Sequence, residues 1–168
     1  MDVPEAATEE TRLLPSDEIL RGLIEPFEGA IWAMSAGQDV LTLPAEHLRT
    51  FAEAAHNAGF EMLADVTAVD WLTRQPRFDV VVSLLSMQHR RRLRIIVQTN
   101  GEAPSLVPVW PGANYAEREV YDMFGIQFTD HPDLTRILMP DEWEGFPLRK
   151  DFAVGSVPVQ FKASHKVN

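Results

Sequence analysis

The sequence predicts an α+β fold: a two-layer helix/sheet domain followed by an extended C-terminal segment. Two stretches before residue 58 carry apolar residues at helical spacing. Three stretches between residues 60 and 99 are rich in Val, Ile and Leu and have short connections, which is typical of neighbouring strands. After Gly101, prolines repeatedly interrupt the chain, so most of the last third is expected to be extended.

The composition fits one folded domain and excludes several kinds of function. A chain of 168 residues with 45% hydrophobic residues can bury a core of its own. Its formal net charge of -10 argues against nucleic-acid binding, because contacts with phosphates require a basic face. The absence of cysteine excludes disulfides, a thiolate nucleophile and cysteine-ligated zinc or iron–sulfur clusters.

Residues 1–15 are predicted to form an acidic, flexible leader. Residues 1–18 hold six acidic side chains and one basic one, unlike an Arg-rich mitochondrial transit peptide or a secretory signal. No uninterrupted apolar run approaches the roughly 18 residues that a membrane span requires. We therefore expect a cytosolic chain that contacts a membrane only through a partner.

The first half of the core domain is predicted to contain two helices with a hairpin between them. Ser16 is the expected cap of the first helix, and Pro26 is its expected end. Residues 30–34 and 39–43 are expected to form the hairpin. The second helix is expected to run from Pro44 to about Asn57. The predicted buried faces of the two helices are Ile19, Leu20, Leu23 and Ile24, and Leu48, Phe51, Ala52 and Ala55.

Three strands are predicted next, over residues 60–69, 78–86 and 91–99, with a turn near residues 87–89. Both faces of the middle strand carry apolar side chains, so helices are expected on one face and further chain on the other. The run HRRRLR at residues 89–94 places Arg90, Arg92 and Arg94 on one face of a half-solvated strand. A protein-partner contact for that face is the alternative, and the absence of interleaved aromatics disfavours nucleic acid.

The predicted organisation is a core domain at residues 16–112, a docking segment at residues 113–152 and an extended tail at residues 153–168. One helix is expected in the docking segment, with Asn114 as its cap, Glu117 completing a capping box and Gly125 ending it. Its expected buried stripe is Ala116, Val120, Met123 and Phe124.

The charged docking segment is a poor candidate for an active site. Glu117 and Glu119 lie about 200° apart on a helix of roughly 3.6 residues per turn, so they cannot converge on one substrate. Arg118 and Asp122 have the spacing of a surface ion pair along the helix. His131 could act as a general base oriented by a neighbouring aspartate, Asp130 or Asp133, but its setting favours a hydrogen-bonded turn histidine or an interface histidine. A stand-alone enzyme that uses His131 remains the weaker alternative.

A protein interface accounts for more of the same features. Arginines and aromatic residues among turn-forming prolines supply large contact areas and forked hydrogen bonds. The candidate interface residues are Glu117, Arg118, Glu119, Asp122, Phe124, His131, Arg136, Trp143, Phe146, Pro147, Leu148, Arg149, Lys150 and Asp151. No catalytic, cofactor-binding or metal-binding residue is predicted.

Five short motifs in this segment carry a family resemblance. They are ERE at residues 117–119, DMFGI at 122–126, HPDL at 131–134 with RIL at 136–138, and PLRKD at 147–151. Together with DVTAVD at residues 65–70 and RF at residues 77–78, they resemble the 30-kilodalton subunit of respiratory complex I, which is the C subunit of bacterial NADH-quinone oxidoreductase. The resemblance covers roughly residues 45–152.

The resemblance implies a non-catalytic structural subunit of the hydrophilic arm of a proton-translocating complex. It implies a mainly antiparallel sheet and a C-terminal segment that lies on the 49-kilodalton-type subunit, called the D subunit in bacteria, near the quinone site. The chain itself would bind no cofactor, while FMN and iron–sulfur clusters would belong to other subunits. Its expected location is peripheral, on the cytoplasmic side of a bacterial cell membrane. An equivalent subunit of a membrane-bound hydrogenase or another donor-fed complex remains an alternative.

Overall fold

The computed structural model describes residues 14–153. The predicted tail therefore lies outside the described residues except for Ala153, and so does the leader except for its last two positions. The helices are α1 (Glu18–Ile24), α2 (Leu48–Asn57) and α3 (Ala113–Phe124), with a 3-10 turn at Ala45–His47 before α2. The strands are β1 (Ile31–Ser35), β2 (Gln38–Leu43), β3 (Met62–Asp70), β4 (Phe78–Ser86), β5 (Arg91–Thr99), β6 (Glu102–Pro104) and β7 (Gln127–Thr129).

Five of the strands form one mixed sheet in the order β1-β2-β5-β4-β3. The β1–β2, β4–β5 and β3–β4 pairs are antiparallel, and the β2–β5 pair is parallel. The short β6 and β7 form a separate parallel pair. This arrangement confirms the prediction of an α+β domain with a mainly antiparallel sheet.

The core lies between one face of the sheet and the helices. Alternate β4 residues, including Val80 and Val82, are fully buried in one cluster with the α2 side chains Phe51 and Ala52. Phe124 of α3 belongs to the same cluster, as do side chains of β6 and β7. Residues on both sides of the predicted boundary at 112/113 therefore share one core. On the other face of the sheet, Val81 and Leu85 of β4 are half-buried among the described residues.

The first two predicted helices form with small corrections at their starts. Asp17, rather than Ser16, caps α1, because its carboxylate accepts a hydrogen bond from the Leu20 amide at 3.0 Å. Ile19 does not belong to the buried stripe, since it is 40% exposed. Pro44 precedes a 3-10 turn instead of opening α2, whereas the four predicted core residues of α2 are buried.

The predicted start of α3 is wrong for a tertiary reason. The residue before the helix is Gly112, which makes no side-chain cap, and Asn114 already lies inside the helix. Glu117 does not complete a capping box. Its carboxylate is buried and accepts a hydrogen bond from the Leu106 amide of a neighbouring loop at 2.5 Å. The end of α3 at Gly125, in a left-handed conformation, is confirmed.

No helix within residues 14–153 is both long enough and apolar enough to cross a lipid bilayer.

Candidate protein-docking site

The residues that follow β7 run without helix or strand from 130 to 153, and we call this segment the strap. The strap lies on the chain's own domain, where Leu134 and Met139 pack against the core. Buried carboxylates on α3 and β3 bind its backbone at two places. These two anchors decide which strap side chains face inward and which face outward.

The first anchor is Asp122 on α3. Its side chain is fully buried, and one oxygen accepts hydrogen bonds from three consecutive strap amides. The amides are those of Ile137, Leu138 and Met139, at 3.1, 2.8 and 2.8 Å. The other carboxylate oxygen accepts a hydrogen bond from Arg136 at 2.5 Å. Asp122 is thus a carboxylate cradle for the middle of the strap.

The contacts of Asp122 also determine its charge state. Burial favours the neutral acid, but the strap amides and the Arg136 guanidinium outweigh burial and lower the pKa of Asp122. The predicted ion pair between Arg118 and Asp122 is therefore wrong. Arg118 instead donates to the carbonyl oxygens of Thr135 at 3.0 Å and Arg136 at 2.9 Å. The two residues hold neighbouring strap positions without pairing with each other.

Arg136 links the first anchor to the next part of the strap. Besides Asp122, its guanidinium donates to the carbonyl oxygens of Trp143 at 2.9 Å and Gly145 at 3.1 Å. It also stacks over the ring of Phe146 at 5.5 Å. One side chain therefore closes a loop of about ten residues, because a planar guanidinium offers several donors in fixed directions.

The second anchor is Asp70 at the end of β3. Its carboxylate is fully buried and forms a two-point ion pair with Arg77, at 2.8 and 2.7 Å. It also accepts a hydrogen bond from the strap amide of Lys150 at 2.8 Å. The hydrogen bonds from Arg77 are the main reason why the pKa of Asp70 lies well below its ordinary value. Asp151 binds the outer side of the same guanidinium, at 2.8 and 3.0 Å.

Arg149 packs into the end of α3 between the two anchors. Its guanidinium lies over the rings of Phe146 at 4.4 Å and Phe78 at 5.5 Å, and it donates to the Phe124 carbonyl. Gly125 makes this approach possible. A Cβ at that position would lie 2.5 Å from both Arg149 and Phe146, and its φ of 72° also favours glycine.

Glu117 and His131 meet where the strap begins. The His131 ring is 1% exposed, and its Nδ1 accepts a hydrogen bond from the Asp133 amide at 3.0 Å. The bonding pattern places the ring proton on Nε2, which faces the Asn114 carbonyl at 3.3 Å and a Glu117 oxygen at 4.0 Å. The hydrogen bonds that the sequence predicts for a turn histidine are present, while an interface role for His131 stays a prediction. Contrary to the catalytic alternative, Asp133 contacts the ring through its amide, and the ring is inaccessible.

Glu117 is also a buried carboxylate, but its pKa is raised, whereas the pKa values of the anchors Asp122 and Asp70 are lowered. Burial raises its pKa to about 6, against the Ser105 hydroxyl, the Leu106 amide and the positive charge of Arg49. One of its oxygens has no hydrogen-bond partner within the described part of the chain. Glu119, two residues later, is exposed, which confirms that the two glutamates diverge.

Replacing Glu117 with glutamine is expected to remove a pH dependence of stability. Because the pKa of Glu117 is raised in the folded chain, its neutral form stabilises the fold fully only below pH 4.5. This contribution to the unfolding free energy, about 2 kcal/mol, is lost as the pH rises through about 6. Glutamine keeps the acceptor for Leu106 and has no charge to desolvate. We expect urea unfolding at pH 4.5 and 7.5 to show that the wild-type loss is larger than the variant's loss by about this amount. An equal loss of unfolding free energy in the wild type and in Glu117→Gln would contradict a raised pKa at Glu117.

The structure brings the predicted interface residues together on one side of the domain but turns many of them inward. Glu117, Asp122, Phe124 and His131 are buried as side chains, and Arg118, Arg136 and Arg149 bind backbone carbonyls. Leu148 is 52% exposed. Exposed apolar strap residues that the prediction omitted are Ile137 and Leu138, which are 37% and 59% exposed. Their apolar character in an extended segment was the available signal.

Two further anchor residues were outside the predicted set. Asp70 and Arg77 were noted only as part of the family resemblance, because nothing in the local sequence indicates that they meet residues near 150. Among residues 14–153, no group of three or more His, Asp or Glu side chains is arranged to hold a metal ion. The arrangement supports a surface held rigid by buried ion pairs and backbone hydrogen bonds.

Comparison with known sequences identifies relatives over most of the chain. Residues 41–157 match the sequence family described as the 30 Kd subunit of respiratory-chain NADH dehydrogenase. The chain is 52% identical over 105 residues to the C subunit of NADH-quinone oxidoreductase from Roseiflexus castenholzii, covering 61% of this chain and 60% of the relative. It is 40% identical over 157 residues to the protein of that name from Methylorubrum populi, covering 86% and 72%. The chain thus matches about three fifths of the length of the Roseiflexus relative.

Comparison with solved structures gives two similar folds. The trypsin-resistant fragment of Nqo5 is 34% identical, with a TM-score of 0.59 over 63% of this chain and 90% of the fragment. A chain of the membrane-bound sulfane sulfur reductase, an archaeal respiratory membrane complex, has a TM-score of 0.72 over 90% of this chain and 97% of its own. At 20% identity the second likeness concerns the fold alone.

Proposed function

The chain belongs to the family of the 30-kilodalton subunit of respiratory-chain NADH dehydrogenase, and from this premise we propose that it is a structural subunit of a proton-translocating NADH:quinone oxidoreductase. In this proposal the chain is non-catalytic and sits in the hydrophilic arm. It packs against the 49-kilodalton-type D subunit near the quinone site. It is peripheral, on the cytoplasmic side of a bacterial cell membrane, and reaches the membrane only through other subunits.

The observation that carries the proposal is the division of the strap into an inner and an outer side. The inner side uses ion pairs and backbone hydrogen bonds to fix the strap on the domain. The outer side presents Ile137, Leu138 and Leu148, which are large apolar residues in a segment without helix or strand. Because the strap is fixed before binding, a partner that covers these residues does not have to order it. An apolar surface on a rigid support is typical of a permanent contact between subunits.

The proposal also assigns the electron carriers to other chains. The sequence contains no cysteine, so cysteine-ligated iron–sulfur clusters cannot be held by this chain. FMN and the clusters are expected in neighbouring subunits of the same arm. The role of this chain is then to hold the D subunit in its working position.

The proposal predicts that charge on the outer side of the strap prevents assembly without unfolding the chain. We expect the double substitution Leu138→Glu and Leu148→Glu to reduce recovery of the D subunit at least tenfold, since both carboxylates would lose water at the interface. Both side chains are more than half exposed, so the unfolding free energy of the isolated chain should change by less than about 0.5 kcal/mol each. Co-purification from membranes, followed by denaturant unfolding of each variant, checks both parts.

Met87 provides a matched control. It is 64% exposed and lies in the β4–β5 turn, at the end of the sheet away from the Asp70 anchor. Met87→Glu makes the same type of change and should leave recovery of the partner unaltered. Equal recovery with the strap variant and the control would argue against docking through the strap. Failure of the wild-type chain to recover any D subunit would argue against the proposed function itself.

A further inference from the structure

An arginine-rich corner lies at the end of the sheet opposite to the Asp70 anchor. It contains Arg90 in the β4–β5 turn and Arg91, Arg92 and Arg94 at the start of β5, and we call these four residues the arginine corner. Arg92 and Arg94 project from the outer face of the sheet, because they alternate with the buried Leu93 and Ile95. An open depression of about 640 Å³ lies between the β1–β2 turn and three residues of the corner, Arg90, Arg91 and Arg92.

Half of the arginine corner already has partners. Arg91 forms ion pairs with Asp17 at 2.8 Å and with Asp39 at 3.4 Å. Arg94 donates to the Gln38 side chain at 3.0 Å. Arg90 and Arg92 are exposed, and within residues 14–153 their guanidinium groups have neither a hydrogen bond nor an ion pair.

The lack of a partner for the guanidinium group distinguishes Arg90 and Arg92 from the other arginines that the structure describes. Each of the others binds a carboxylate, an amide oxygen or a backbone carbonyl: Arg21, Arg49, Arg74, Arg77, Arg91, Arg94, Arg118, Arg136 and Arg149. The whole chain carries a net charge of -10, so two unpaired cations at one corner form a local field of opposite sign. Such a surface fits an acidic segment.

The position at which the described chain begins points to one such segment. Asp17, the cap of α1, is ion-paired with Arg91, so this residue, three positions after the start of the described chain, lies beside the arginine corner. Residues 2–10 contain Asp2, Glu5, Glu9 and Glu10 and no basic side chain. The seven steps of chain from Glu10 to Asp17 can span at most roughly 24 Å, which is several times the spacing between Arg91, the partner of Asp17, and its neighbours Arg90 and Arg92. Attachment to the same chain also gives the acids a high effective concentration at the corner.

We propose that the arginine corner binds the acidic segment at residues 2–10 of the same chain, through Arg90 and Arg92. The contact is electrostatic and weakens when salt screens exposed charges over less than about 10 Å. In this proposal the contact holds the acidic segment against Arg90 and Arg92. It also means that any acidic partner must displace the segment before it reaches the same two arginines.

Paramagnetic labelling tests this directly, because the chain has no cysteine of its own. Ala7→Cys provides a single site for a spin label in the full-length chain. At low ionic strength we expect the amide signals of Gly37, Arg90 and Arg92 to lose roughly half or more of their intensity, with recovery at high salt. Signals near Lys150, at the other end of the sheet, should be unaffected.

Charge reversal supplies the matched comparison. Arg92→Glu should abolish the attenuation, whereas Lys150→Glu, with the same change in net charge, should preserve it. Mixing isotope-labelled chain that lacks the spin label with spin-labelled unlabelled chain separates contacts within one chain from contacts between copies. Attenuation in the mixed sample, equal attenuation in both charge variants, or no attenuation at low salt would each overturn the proposal.

Discussion

Replacing Asp122 with alanine is expected to destabilise the chain by about 3–5 kcal/mol, because it removes the buried half of an ion pair and three backbone acceptor contacts at once. The three amides of Ile137, Leu138 and Met139 would lose their common acceptor. Arg136 would keep its carbonyl contacts but lose its counter-ion. Urea unfolding gives the free energy, and hydrogen exchange of the same three amides should accelerate by roughly 100-fold or more.

A control on the same strap separates the cradle from a general effect of removing an acid. Asp141 is exposed, and Asp141→Ala should change the unfolding free energy by less than about 0.5 kcal/mol. Trypsin should cleave at Arg136 faster in Asp122→Ala than in Asp141→Ala, since the strap backbone becomes accessible. Unchanged protection of the three strap amides in Asp122→Ala would show that other contacts hold the strap.

Release of the strap from Asp122 is also expected to affect binding of the D subunit. If the partner recognises Leu138 and Leu148 only while the strap is fixed, Asp122→Ala should also weaken recovery of the D subunit, although Asp122 itself is fully buried. Leu138→Glu with Leu148→Glu should weaken recovery without loss of stability. The two variants therefore distinguish a residue that positions the surface from residues that form it.

The sequence was sufficient for elements whose pattern is local. β4 and β5 have the predicted bounds, since their alternating apolar residues are framed by turns on both sides. The hairpin β1–β2 and the buried face of α2 also form as predicted. The predicted start of α3 was wrong because the Glu117 carboxylate accepts a hydrogen bond from the Leu106 amide in another loop, instead of from an amide of its own helix.

The candidate site was predictable as a segment but not as a set of contacts. The prolines and the motif resemblance identified the strap, and helical spacing separated Glu117 from Glu119. Spacing also suggested a pair between Arg118 and Asp122, yet Asp122 binds residues that follow it by 14 to 17 positions. Asp70 and Lys150 are 80 residues apart in sequence. Contacts of this range depend on the packed domain, and no local pattern encodes them.

Replacing Asp70 with alanine is expected to destabilise the chain by about 3–5 kcal/mol at neutral pH, because the carboxylate is fully buried and bound by Arg77 at two points. The variant would also lose the acceptor for the Lys150 amide. Asp70→Asn keeps the shape of the side chain but places its amide NH2 group opposite the donors of Arg77 and Lys150. We therefore expect about half of the loss in unfolding free energy that Asp70→Ala causes. Urea unfolding of both variants gives the free energies, and cleavage by trypsin after Arg149 and Lys150 reports release of the strap.

The pH dependence identifies Asp70 as the ionised group. Its pKa is lowered in the folded chain, chiefly by the hydrogen bonds from Arg77, so its stabilisation is present above about pH 4 and is lost as the pH falls further. The difference in unfolding free energy between wild type and Asp70→Asn should therefore decrease as the pH falls from about 4 to about 2, by at most about 1.4 kcal/mol per pH unit. Asp79, which pairs with Arg74 and Trp71 at the same end of the sheet, supplies the control. Asp79→Asn should leave the strap resistant to trypsin, and a gap for Asp70→Asn that stays constant with pH would contradict an ionised anchor.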